Sequence, residues 1–88
     1  MTNKQINKRG FVDGFTIKGR MSCWVNENIP YTDRRPYKAI SLFKFLDGAG
    51  NVIYKIIGLN YFDKSEDVLF QGEIKTTKDF DKIIELVM

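Results

Sequence analysis

Residues 37–62, YKAISLFKFLDGAGNVIYKIIGLNYF, decide the fold. The arms Tyr37–Leu46 and Val52–Phe62 are dense in β-branched and aromatic residues. Between them Asp47–Asn51 (DGAGN) is turn chemistry with two glycines, so the stretch reads as a β-hairpin. Both arms are apolar on both faces in places: Ile40, Leu42 and Leu46 against Phe43 and Phe45, then Ile53, Ile57 and Leu59 against Tyr54, Ile56 and Phe62. Strands of that kind are usually central and covered on both sides, so something is expected to pack on each face.

Downstream, Asp63–Asp67 (DKSED) is a second polar turn. In Val68–Lys75, the residues Val68, Phe70, Gly72 and Ile74 alternate inward with Gln71, Glu73 and Lys75 outward, a strand expected nearer an edge. Thr76 followed by Asp79 resembles a capping box, and Phe80, Ile83, Ile84 and Val87 fall at helical spacing. A C-terminal amphipathic helix of about three turns follows, its apolar stripe available to cover one sheet face.

Upstream, Phe15–Val25 reads as one long first strand. Its odd positions Phe15, Ile17, Met21, Cys23 and Val25 form an apolar face, and Thr16, Lys18, Arg20, Ser22 and Trp24 a wet one. Gly14 and Gly19 are read as a bulge or coil that bends it. Asn26–Pro36 (NENIPYTDRRP) lacks periodicity and holds both prolines, a loop long enough to carry function. Residues 1–10 read as a flexible polar arm, leaving 11–88 as a single domain. The expected fold is α+β: a four-stranded, mainly antiparallel sheet in ββββα order with one C-terminal helix.

With 88 residues there is room for one domain, and an apolar fraction of 43% suffices for a packed core. One cysteine, Cys23, excludes an internal disulfide; neither a signal-peptide pattern nor a long apolar run is present. The chain therefore reads as cytoplasmic (host cytoplasm if phage-encoded), with no membrane partner. The net charge of +3 is uneven: residues 1–44 hold nine cations and three carboxylates, residues 45–88 five and eight. That split points to an anionic partner for the first half, or only to ordinary solvated lysines.

The absence of histidine removes the usual general base and the commonest metal ligand. Cys23, on an apolar strand face without a histidine partner, reads as a buried structural thiol. Gly48 and Gly50 lie between strands and do not form a phosphate loop. Asp63, Glu66 and Asp67 lack calcium-loop spacing and read as a solvated turn. Asp79, Asp81 and Glu85 lie on the helix, where negative charge near the first turn is favourable. No catalytic residue, metal site or cofactor is expected, and the chain is read as a non-enzymatic binding protein.

Its candidate surface is Lys18, Arg20 and Trp24 on the wet strand face with Tyr31, Arg34, Arg35, Tyr37 and Lys38 from the loop and beyond. Cations neutralise phosphates and aromatic rings stack on unpaired bases, which is what single-stranded nucleic acid needs. The same residues suit a protein target, since aromatics and arginines dominate interface energies. A plain structural reading, with the aromatics packed over a sheet end and the arginines solvated, stands beside both. A possible homodimer is a further reading, because one helix leaves a sheet face free.

Phe15–Lys75, with Gly19-Arg20 near a bent first strand and a Leu46-Asp47-Gly48 turn, resembles parts of an OB-type barrel, but without a fifth strand. The four-strand meander closed by a helix after Gly72–Thr77 is similar to Whirly-type single-stranded-DNA binders. The small, cysteine-poor, lysine-, asparagine- and isoleucine-rich composition resembles bacteriophage accessory proteins, including anti-CRISPR inhibitors of host defence nucleases. These resemblances imply binding of single-stranded nucleic acid or, alternatively, inhibition of a host defence nuclease complex by protein–protein binding.

Overall fold

The structure, a computed structural model, describes residues 1–30 and 32–87. In chain order it has α1 (Asn3–Asn7), β1 (Val12–Ile17), β2 (Met21–Asn26), β3 (Tyr37–Leu46), β4 (Val52–Asn60), β5 (Glu66–Gly72) and α2 (Thr77–Val87). The strands form one antiparallel meander in the order β1-β2-β3-β4-β5. The α+β class, the antiparallel sheet and the C-terminal helix agree with the sequence reading; the strand number is five, not four.

The extra strand comes from Gly19. Its φ of 75° lets the chain reverse, and the Arg20 amide closes the turn on the Ile17 carbonyl at 2.9 Å. The expected long strand is therefore a hairpin, with Ile17 opposite Met21 and Val12 opposite Val25. The register slips between Asp13 and Thr16, and a Cβ on Gly14 would lie 3.0 Å from the Cys23 carbonyl oxygen, a close approach that a larger residue could make only if the β2 backbone gave way. Because β1 and β5 are both edges, the likeness to an OB-type barrel does not extend to closure.

A second register shift lies between β4 and β5. Ile56 pairs with Phe70 but Ile57 with Val68, leaving Leu69 as the extra residue. Both Leu69 and Phe70 pack against the core, while Val68 turns to the other face, 56% exposed. The simple inward alternation expected of Val68 and Phe70 is broken by this bulge.

The core lies on one sheet face only. Trp24, Leu42 and Ile56 form a cross-strand row, with Ile40 and Tyr54 beside it, and Ile6, Phe11, Ile74 and Phe80 cover them. Phe11 and Phe80 meet with ring centroids 5.9 Å apart. In α2, Phe80 is fully buried and Ile83, Ile84 and Val87 pack against the core, as the helical spacing predicts. Thr76 Oγ1 accepts the Asp79 amide at 3.1 Å and caps that helix.

Residues 1–10, read as an arm, contain α1. Thr2 and Gln5 form a reciprocal capping box, and Ile6 is fully buried beneath it. Arg9 binds Asp81 through Nε at 2.5 Å and Nη2 at 3.1 Å, tying this end of the chain to α2.

Candidate functional site

The alternation seen in the first strand pair is present, but its two faces are reversed. The even face bearing Ser22 and Trp24 is the covered one; Trp24 is 4% exposed and contributes to the core. A buried indole has no free face on which a base could stack, so Trp24 drops out of a surface site. Lys18 and Arg20 are exposed in the β1–β2 turn. Arg34 and Arg35 are exposed at the other sheet end, in a turn where Thr32 and Arg35 exchange backbone hydrogen bonds.

Lys38 is exposed, whereas Tyr37 is half-buried, its ring over Gly58 and its phenol within the influence of the Asp67 carboxylate. Burial foremost, then Asp67, pushes that phenol above its ordinary range. Tyr31 lies outside the described residues. Since Met21 pairs with Phe45 while Tyr37 begins the same strand β3, the two cationic groups sit at opposite sheet ends, about 25 Å apart at 3.3 Å per residue. The structure thus does not gather the seven described candidate residues into one surface.

The sequence reading leaves one sheet face free, but its candidate residues do not include that face, which is the odd one. Val12 and Ile17 of β1, Met21, Cys23 and Val25 of β2, Phe43 and Phe45 of β3, Ile53 and Ile57 of β4 and Val68 of β5 share it by register, and Phe15, in the β1 bulge, joins them through its contact with Phe43. Neither helix covers it. Val12, Phe15, Ile17 and Val68 are 66%, 49%, 48% and 56% exposed, and Phe15 meets Phe43 at a ring-centroid distance of 6.4 Å. Next to its centre a depression of about 280 Å³ is lined by Met21, Phe43, Phe45, Lys55 and Ile57. The signal that anticipates a free face is that both hairpin arms are apolar on both faces, while the chain has one amphipathic stripe long enough to cover one of them; the sequence does not say which face that is.

Cys23 is buried on this face beneath its neighbours, and burial pushes its thiol pKa up, away from the reactive thiolate. Lys55 lies between Phe43 and Gln71 in register. The one ion pair among the described residues is Arg9–Asp81, so no carboxylate of those residues neutralises Lys55. Among the described residues no group of three or more Cys, Asp or Glu side chains could hold a metal ion, and no helix is long and apolar enough to cross a membrane.

Comparison of the chain with protein-family models, curated proteins and solved structures finds no match.

Proposed function

We propose that this chain is a non-enzymatic binding domain that docks onto a protein through the odd face of its sheet. The observation that carries the reading is the contiguous apolar surface from Val12 and Phe15 across Phe43 and Phe45 to Val68, on a sheet whose helices all lie on the other side. Surfaces of that kind on small domains mark interaction sites. The partner's chemistry follows from Lys55: an apolar surface with a carboxylate placed to meet an otherwise unpaired ammonium. A second copy suits the face less well. A two-fold axis near its centre would bring two Lys55 groups together, while Glu66, the acid of that face, lies at its rim opposite Leu59. An inhibitor of a host nuclease complex is one protein-binding role compatible with this surface.

Single-stranded nucleic acid is the second reading. Its support is the trio Phe15, Phe43 and Phe45 on one face with Lys55 beside them, an aromatic platform different from the one expected around Trp24. It ranks second because one cation serves a face that would have to track several phosphates.

The test compares the wild type with Phe43→Asp and Arg34→Ala in affinity capture from the cells that produce the chain, alongside sedimentation and anisotropy with labelled single-stranded DNA at two salt concentrations. A stoichiometric protein held by wild type and Arg34→Ala but lost with a folded Phe43→Asp is the expected result. Concentration-dependent dimers abolished by Phe43→Asp would replace that partner with a second copy. Salt-sensitive oligonucleotide binding lost in the same variant would establish the second reading instead.

A further inference from the structure

On the covered side of the sheet, where the β1–β2 turn meets the start of α1, a cavity of about 440 Å³ opens at the sheet end. Its polar wall is a row set by register: Thr16 of β1 opposite Ser22 of β2, and Ser22 opposite Lys44 of β3. Arg20, two residues before Ser22, completes it, and Trp24 and Val52 supply an apolar floor. No Asp or Glu lines the cavity, and neither Arg20 nor Lys44 pairs with a carboxylate among the described residues. Two cationic side chains and the hydroxyl residues Thr2, Thr16 and Ser22 therefore line one concavity whose own side chains offer the cations no counter-charge.

We propose that this cavity binds a small phosphate-bearing ligand of nucleotide size. Arg20 offers a planar fork of donors suited to phosphate oxygens, and Lys44 a point charge beside it. Thr16 and Ser22 hydroxyls can donate to the remaining oxygens. The volume is within the range of small-ligand sites, and the apolar floor accepts a ring that the cations alone would not need. Ile17, Met21 and Phe45 of the docking face border this cavity at the sheet end, but its polar row lies on the covered face, and the proposal does not depend on the docking reading. It also accounts for Arg20 and Trp24 within one site, with the indole as part of the floor and not as a stacking platform.

The test is titration of isotope-labelled protein with AMP, inorganic phosphate and adenosine, read by amide shifts and by the indole N–H of Trp24, the sole tryptophan. AMP should produce saturable shifts at Gly19–Ser22, Lys44 and the indole, phosphate weaker ones at the same amides, and adenosine none. Arg20→Ala, in an exposed turn, should weaken AMP binding about ten-fold, and Lys44→Gln by a similar factor, while Arg34→Ala at the far end should not change it. A 5′-phosphorylated dinucleotide binding more tightly than AMP with the same shift pattern would assign the phosphate to a nucleic-acid end, and equal affinity would assign it to a free nucleotide. No saturable shift at millimolar AMP, or an affinity unchanged in folded Arg20→Ala, would overturn the proposal.

Discussion

A Cβ added to Gly58 would lie 2.5 Å from Cδ1 of Tyr37 and 2.9 Å from Cδ1 of Leu69. The Tyr37 ring occupies the space that a side chain at 58 would need, which explains a glycine in the middle of a central strand. Gly58→Ala should cost about 1–3 kcal/mol by overpacking, read as a lower urea midpoint at unchanged slope. Asp81 gives a pH-dependent counterpart. The hydrogen bond from Arg9 holds its carboxyl below the ordinary 3.8. A lowered folded value stabilises the fold fully above the unfolded value, and the contribution is lost as pH falls through the folded one. Wild type should therefore melt above Asp81→Asn near neutral pH, with the gap closing below about pH 3.8 as thermal unfolding is followed into acid. The carboxylate side chain is 56% exposed, so the gap should be small. Residue-level alternation in the first strand pair was legible from the sequence, but not which face is covered. Trp24 and Phe43 both belong to apolar rows, and only the helices' positions separate core from surface.

At the scale of elements, the hairpin of β3 and β4 and the α2 stripe were legible because turn chemistry and periodicity agree there. α1 was not, since five residues with one apolar side chain carry no periodic signal. Its capping pattern, Thr2 followed three residues on by Gln5, was the available clue. If α1 is part of the fold, Ile6→Ala should destabilise the domain by about 2–4 kcal/mol, whereas an unstructured arm would give no change in the denaturation midpoint. Thr76→Ala should cost about 1 kcal/mol through loss of the α2 N-cap, with Thr76→Ser restoring most of it. The split of the first strand was hidden for another reason: glycine at 19 permits either a bend or a reversal, and only pairing with β3 distinguishes them.

The molecule as a whole is a two-layer domain lacking a third layer: helices, sheet, then solvent where a covering element would usually lie. Two consequences can be separated by placing charge on that face. Ile17 and Val68 are about half exposed, so their apolar area is not part of the isolated core. Ile17→Lys with Val68→Lys should leave the unfolding free energy within about 0.5 kcal/mol per site, whereas Leu42→Lys on the covered face should abolish folding. The unfolding should be measured over a wide range of protein concentration. A double variant as stable as wild type at every concentration means that the face is surplus to the fold and free for a partner. A wild type whose melting temperature rises with concentration, and a double variant whose does not, means that the face is already occupied by a second copy, whose binding energy is counted as stability.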